Sequence, residues 1–277
     1  MINKVGILYH PMVEKTQVKA RELSDFLAAR GVSVWSSSAW EMESARERLS
    51  GTGLVLTVGG DGTILRAAQV VMDSTTPITG VNLGKLGFMT ELGADEALAK
   101  LPSLLGGEGW IDERATLEAE LQTAGQESRT FRALNEVVVA RGAIPRVVYV
   151  EVRIDGERLV SYKADGVILA TATGSTGYAL AAGGPVIYPQ SRDMLLMPVM
   201  PYLCTTYPVV LPGTSAVQMR LSTVHPATLS IDGHINMPMN SGDTVNIKLG
   251  RNALRFARIH PRTYFYSSLE RRLGGSK

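Results

Sequence analysis

Over the first hundred residues, short β-branched apolar runs alternate with longer segments whose apolar positions recur at helical spacing. Residues 5–9, 32–35, 54–58 and 77–81 read as strands, and 14–30, 41–49 and 64–72 as helices. The segment 14–30 gathers Val18, Leu23, Phe26 and Leu27 on one helical face and stops at Gly31, a residue suited to the left-handed backbone that ends a helix. This alternation predicts a parallel sheet with helices packed on it. The pattern changes after Gly106-Gly107-Glu108-Gly109. Runs at 116–121, 131–141, 146–154, 167–171, 228–231, 244–249 and 254–259 then follow as strands, with Asp155-Gly156 and Asp232-Gly233 as turns. The expectation is an α/β N-terminal domain with a parallel sheet over 1–107 and a β-rich C-terminal domain over 108–260. In the tail, 261–277, Tyr264, Phe265, Tyr266 and Leu269 are apolar enough to pack back on the first domain.

Composition narrows the functional classes. With 277 residues, 45% hydrophobic and 19% charged, the chain can bury sizeable cores and is not expected to be disordered. A net charge of +2 supplies no field for nucleic acid, which is not an expected partner. Residues 194–219 carry no charge, yet Pro198, Pro201, Pro208 and Pro212 would break a membrane helix, so buried strands and loops are expected there and no membrane contact. The N-terminus lacks the basic, apolar and small-residue order of a signal peptide, and a lone cysteine, Cys204, suits a reducing compartment. A cytoplasmic protein is expected.

Several signatures are absent. Gly80 to Lys85 has the wrong spacing for a P-loop, no G-x-G-x-x-G follows a strand, and the four histidines are too scattered for zinc. What stands out is Gly59-Gly60-Asp61-Gly62-Thr63 after the strand at 54–58. Glycines there let the backbone approach a phosphate, and the following helix N-terminus favours anions. Asp61 is electrostatically out of place in such a cradle unless it takes a proton, orients a hydroxyl or meets a metal; a plain turn with an Asx cap is the competing reading. A second constellation spans 164–185, where a strand enters a loop rich in hydroxyls and glycine, Thr171-Ala172-Thr173-Gly174-Ser175-Thr176-Gly177-Tyr178, and stops at Gly183-Gly184-Pro185. It offers many hydrogen-bond donors and a flat tyrosine face, as a ligand loop or as a strand–helix connection. The third is Leu134-Asn135-Glu136, a polar pair interrupting an apolar strand, which either caps the strand or binds sugar hydroxyls.

In this order and at these separations the three constellations, together with residues 82–90 (Asn-Leu-Gly-Lys-Leu-Gly-Phe-Met-Thr) and Asp232-Gly233-His234, resemble the NAD kinase family, the ATP-NAD or polyphosphate-NAD kinases. The match covers most of residues 54–243. Gly-Gly-Asp-Gly alone also occurs in phosphofructokinases and in diacylglycerol or sphingosine kinases, whose folds are related, but those lack the Asn-Glu and Thr-Gly-Ser-Thr elements. The resemblance implies a kinase that phosphorylates the 2′-hydroxyl of the adenosine ribose of NAD, using ATP or polyphosphate with Mg2+ or another divalent cation. It further implies NAD bound in the cleft between the domains of a homodimer or homotetramer. By the same resemblance Asp61 is the catalytic carboxylate, Gly60 and Gly62 flank it, and Asn135 and Glu136 hold the ribose. Asp165, Thr173, Thr176, Gly177, Tyr178, Ala179, Leu180 and Ala181 contact the dinucleotide. Arg66, Arg146 and Lys163 match positions near phosphates or the dinucleotide, His234 a position near the cleft, and Phe88 a wall beside adenine or ribose. No carboxylate cluster is present to hold magnesium by protein alone, so no metal-ligating residue is expected.

Several positions depart from the family pattern, Gly177 among them, where the family has alanine. Ala164 stands where the family has glycine, Ala172 where it has proline, and Ala181 where many members have serine; Pro201-Tyr202-Leu203-Cys204 replaces a common Pro-His-Ser-Leu. The departures leave two further readings: a dinucleotide-binding regulator without turnover, and a lipid or sugar kinase of the wider Gly-Gly-Asp-Gly group.

Overall fold

A computed structural model describes residues 2–84, 86–202 and 207–274; Met1, Lys85, residues 203–206 (Leu203 and Cys204 among them) and residues 275–277 lie outside the described residues. The first part of the chain forms β1 (Lys4–Tyr9), α1 (Glu14–Ala28), β2 (Ser33–Ser38), α2 (Met42–Arg48), β3 (Leu54–Val58), α3 (Asp61–Val71), β4 (Ile78–Asn82), β5 (Leu92–Gly93), α4 (Ala94–Leu105) and β6 (Trp110–Arg114). Strands then dominate, with β7 (Leu117–Gln122), β8 (Arg129–Ala133), β9 (Glu136–Arg141), β10 (Val148–Ile154), β11 (Glu157–Ala164) and β12 (Gly166–Thr171). A 3-10 turn (Gly174–Thr176) and α5 (Tyr178–Ala181) interrupt them. They resume as β13 (Met194–Val199), β14 (Val209–Leu211), β15 (Val217–Ser222), β16 (Ala227–Ile231), β17 (Ile235–Met239), β18 (Thr244–Leu249) and β19 (Leu254–Arg258), before α6 (Tyr264–Leu273). The chain divides into two compact units, residues 1–113 with 254–277, and residues 114–253.

The first unit is built on a sheet of order β2-β1-β3-β4-β19-β6, with β5 on β4. The pairs β1–β2, β1–β3, β3–β4, β4–β5 and β4–β19 are parallel. Strand alternation sends Val5, Ile7, Leu54, Leu56, Val58 and Val81 into one core with Ala20, Leu23 and Leu27 of α1 and Ala97, Leu101 and Leu104 of α4. Val55 and Leu8 belong to the opposite set, and α3 packs on β3 and β4 with Ile64, Ala67 and Ala68 fully buried. Val18, expected on the inner face of α1, is 52% exposed.

The second unit is a sandwich of two six-stranded sheets, β11-β10-β15-β18-β7-β8 and β14-β13-β12-β9-β16-β17. Val150, Met219, Val245 and Ala119 of the first sheet meet Val139, Leu169, Leu196 and Leu229 of the second in a shared core. The second sheet also buries its other face, where Val138, Ile168, Ala170, Leu195 and Met197 pack with Ala179 and Ile187. Burial on both sides is why β12 and β13 are unbroken apolar runs. The uncharged stretch 194–219 is thus β13, β14 and the start of β15, and among the described residues no helix is long and apolar enough to cross a membrane.

Several elements differ from their sequence reading. Residues 131–141 are not one strand: β8 and β9 lie in different sheets, parted at Leu134 and Asn135. The amides of Leu134, Asn135 and Glu136 donate to the Asp232 carboxylate at 2.8, 2.7 and 3.1 Å, which turns them away from a continuous ladder. The third helix begins at Asp61 rather than 64, and β2 runs on to Ser38. Strands β11 and β17 had no sequence signal, because each is a sheet edge with exposed polar positions, and β17 carries Pro238. Finally, β6 and β19 join the sheet of the first unit, whereas residues 108–260 were expected in the β-rich domain. Asp155-Gly156 and Asp232-Gly233 do form the β10–β11 and β16–β17 turns, all four residues with positive φ.

Candidate functional site

In the first unit the chain leaves β3 through Gly59, whose φ of +155° and contact with the Thr63 side chain leave no room for a Cβ. Gly60 and Gly62 are exposed and a Cβ on either would meet nothing, so the space around the start of α3 is open to solvent. Asp61 is the first residue of that helix, but it does not cap it. Its Oδ2 accepts from the Phe88 amide at 2.8 Å and its Oδ1 from the Met89 amide at 3.1 Å. Gly87 is obligatory, since a Cβ there would overlap the Asp61 carboxylate. One amide on each oxygen fixes the plane of the carboxylate and leaves each oxygen a lone pair for a hydroxyl proton. Arg66, on the next turn of α3, lies 4.1 Å from the Trp40 ring centroid, and burial lowers its pKa. His10 meets the same ring edge-on at 4.5 Å and lies beside Gly59.

In the second unit a polar cluster forms where β9 begins. Asn135 and Glu136 are 7% and 6% exposed, and the Asn135 Oδ1, Glu136 Oε2 and His234 Nε2 atoms are buried without a hydrogen-bond partner. A Cβ on Gly177 would sit 3.2 Å from both Asn135 Nδ2 and Glu136 Oε2, so glycine at 177 lets the loop close over them. Asp232 organises the cluster: its carboxylate holds three amides, and its carbonyl lies 3.0 Å from His234 Nδ1. Burial, and then the Asp232 charge, push the Glu136 carboxyl up to about 8. Burial likewise raises Asp232, against the three amides and His234, which lower it. Three unsatisfied acceptor or ring atoms in one buried cluster are uncommon in a folded chain and suit a ligand bearing hydroxyls.

The loop after β12 is stapled to this cluster. Thr171 Oγ1 donates to the Leu134 carbonyl at 2.6 Å, the Thr171 amide to the Asn135 carbonyl at 2.8 Å, and Gly174 packs directly on the Asn135 backbone. Its hydroxyls are largely engaged internally. Thr176 donates to the Thr173 carbonyl, Ser175 to the Ala172 carbonyl, and Thr173 Oγ1 accepts from the buried Arg114 at 3.2 Å. Tyr178 is 46% exposed, Leu180 half-buried and Ala181 exposed, while the Ala179 side chain lies in the apolar layer under the sheet.

The other expected residues lie apart from Glu136. Register places Glu136 opposite Ala170 and Ala140 opposite Gly166, so Asp165 stands at the far end of β12, where it pairs with Arg141 at 3.2 Å. Lys163 is held over Tyr202 and Tyr149, at 4.3 and 5.8 Å from their ring centroids, and Arg146 is exposed in the β9–β10 loop. Sequence reading missed Asp232 as an organiser, Arg114, and the His10–Trp40 pair; an Asp-Gly dipeptide signals only a turn, and nothing local marks the others. Among the described residues no three His, Cys, Asp or Glu side chains converge to hold a metal ion.

The ATP-NAD kinase N-terminal domain matches residues 5–108 and the ATP-NAD kinase C-terminal domain residues 134–259. An NAD kinase from Dehalococcoides mccartyi (strain BAV1) is 47% identical over 277 residues, covering 100% of this chain and 98% of its own. One from Chloroflexus aurantiacus is 39% identical over 273 residues, covering 99% of each. Among solved structures, a yeast NADH kinase complexed with NADH superposes with a TM-score of 0.87 at 24% identity, over 100% of this chain and 89% of the other. An NAD kinase from Archaeoglobus fulgidus in complex with ATP gives 0.77 at 24%, over 97% and 98%. Both share the fold.

Proposed function

The chain belongs to the ATP-NAD kinase family and phosphorylates NAD, and within that frame we propose that Asp61 is the carboxylate that works on the acceptor hydroxyl. The observation that carries this is the clamp on Asp61: two amides fix its plane at the start of a helix flanked by bare glycines, with a lone pair on each oxygen still available. A ribose hydroxyl is a poor nucleophile, so positioning and removal of its proton dominate the barrier. In the proposed step the 2′-oxygen of the adenosine ribose attacks the terminal phosphorus of ATP in line. The new O–P bond forms as the bond to the ADP oxygen breaks, and the 2′-hydroxyl proton passes to Asp61. ADP and NADP are the products.

Asn135, Glu136, Gly177 and His234 supply the sugar-binding set. Thr173, Thr176, Tyr178, Leu180, Ala181 and the Ala179 backbone line the loop beside them, and Gly60, Gly62, Arg66 and Phe88 surround Asp61. Among the described residues no side chains form a metal cage, and in this reading a divalent cation enters with the phosphates of ATP, or of polyphosphate as an alternative donor. Asp165, Lys163 and Arg146, at the other end of β12, are assigned to a second copy's site in a homodimer or homotetramer. A cytoplasmic setting accords with the single cysteine.

The test is purified protein with NAD, Mg2+ and either ATP or polyphosphate, with NADP read through an NADP-specific dehydrogenase. Wild type is expected to form NADP, and Asp61→Asn to lose about 10²–10⁴-fold in kcat while still binding NAD. An Asp61→Asn protein with full activity removes the proposed role. Dinucleotide binding without any NADP from wild type removes the kinase reading.

A further inference from the structure

The loop that clamps Asp61 is itself gripped by the returning C-terminal segment. Arg272, in the last turn of α6 and only 7% exposed, donates from Nη1 to the Gly87 carbonyl at 2.6 Å and from Nε to Ser268 Oγ at 2.9 Å. Its guanidinium lies 6.0 Å from the Phe88 ring centroid and 5.7 Å from that of Tyr264. Arg258 of β19 donates to the Met89 carbonyl at 2.8 Å and to Glu91 at 3.2 Å. Glu91 in turn accepts the Ile259 and His260 amides, each at 2.8 Å. Residues 87–91 are therefore anchored at both ends by residues 258–272.

The first of these contacts differs in kind from the rest. The Gly87 carbonyl and the Phe88 N–H belong to one peptide group. Arg272 holds its oxygen while its N–H donates to Asp61 Oδ2. A cation on the carbonyl polarises the peptide, strengthening the N–H as a donor, and the two charge-assisted bonds at its ends reinforce each other. We propose that Arg272 is a positioning residue of the kinase reaction, acting through the peptide group between Gly87 and Phe88 to set the orientation of the Asp61 carboxylate. This deepens the reading of Asp61 given above and rests on it. The site also tolerates an uncomfortable cation. Burial and the nearby Arg258 charge push Arg272 down to about 10, with Tyr264, Asp61 and Glu91 acting the other way. An apolar residue would pack there without that desolvation.

The experiment compares Arg272→Met, Arg272→Lys and Arg272→Gln in the full chain, with steady-state kinetics in NAD and thermal unfolding on each. Expected for Arg272→Met is a fall in kcat of about 10–100-fold, less than direct loss of a charge-stabilising donor, with KM for NAD within about twofold of wild type. Arg272→Lys, which keeps a cation able to reach the carbonyl, is expected to recover kcat to within about threefold. A kcat for Arg272→Met within threefold of wild type overturns the proposal, as does a loss that falls on KM or that lysine does not recover. Should the methionine variant fail to fold, lysine against glutamine decides: a tenfold advantage for lysine supports the relay, and equal kcat overturns it. Wild-type turnover is measured alongside. Its absence defeats the kinase reading, whereas an active wild type with indifferent Arg272 variants defeats this inference alone.

Discussion

Glu136 carries the most consequential proton at the scale of single residues. Its Oε2 is buried without a partner, and burial together with Asp232 pushes its carboxyl up to about 8. At neutral pH the folded protein therefore holds this carboxyl protonated, able to donate to a sugar hydroxyl, while the unfolded chain holds a carboxylate. The sign follows from linkage. With the folded pKa above the unfolded one, near 4.5, the stability associated with Glu136 is fully present below about 4.5 and is lost as pH rises through about 8. Asp232, raised in the same direction, adds to that slope. Glu136→Gln keeps the shape and removes the charge. It is expected to raise stability at pH 9 by on the order of 1–3 kcal/mol and to flatten the decline between pH 5 and 9. Urea unfolding of both proteins across that range checks it; parallel curves for the two would contradict a protonated Glu136. The pair Asn135-Glu136 was legible in the sequence as a polar interruption of a strand. The proton was not, because it depends on burial in the fold and on Asp232, which lies almost a hundred residues away and meets the 134–136 backbone only in the fold.

At the scale of elements, the proposed catalytic and sugar-binding roles fall on two loops, each with one glycine. A Cβ on Gly87 would overlap the Asp61 carboxylate, whereas one on Gly177 would crowd Asn135 Nδ2 and Glu136 Oε2 at 3.2 Å. Gly87→Ala must displace a clamped carboxylate or the loop that holds it, and a fall in kcat of about 10²-fold is expected with little change in KM. Gly177→Ala requires Asn135 and Glu136, the proposed sugar-binding pair, to give by a few tenths of an ångström. About a tenfold rise in the KM for NAD is expected, with kcat less affected. Steady-state kinetics in NAD at saturating ATP separate the two, and the opposite partition would reassign the loops. Elements with strong periodicity were readable in advance: β1, α1, β3 and β4 fall where apolar patterning puts them, since each buries a face against its neighbours. The start of α3 at Asp61 was not, because a helix beginning on a glycine leaves no capping side chain as a signal, and the carboxylate that would have served as one turns instead to residues 88 and 89. Nor was the clamp from α6, since Arg271-Arg272 in a polar helix reads as a solvated face until the tail is seen buried against Gly87.

On the scale of the whole molecule, the parallel sheet was legible but its completion was not. β19 enters between β4 and β6 after the entire second unit has intervened, and neither the register nor the order of such a late strand is written in local pattern. The same view bears on assembly. Glu136 pairs with Ala170, while Asp165 precedes the opposite end of β12, about 17 Å away at strand rise. If Glu136 holds a ribose as proposed, Asp165 would serve a different part of that ligand or a different ligand. Beside Asp165 the surface is apolar and aromatic, with Met200 75% exposed, Tyr202 52% exposed and Lys163 laid over Tyr202. Exposed aromatics around a half-covered cation are what a second copy of the chain would cover. Light scattering is expected to give two or four times the chain mass, and Tyr202→Glu to lower it. If Asp165 acts on the partner's site, mixing Asp61→Asn protein with Asp165→Ala protein under exchanging conditions should restore activity that neither shows alone. Asp165→Ala impairs the site it reaches across to, and a mixed pair leaves one site with both residues intact. A chain of single mass with full turnover would remove the assignment of Asp165 to a partner's site.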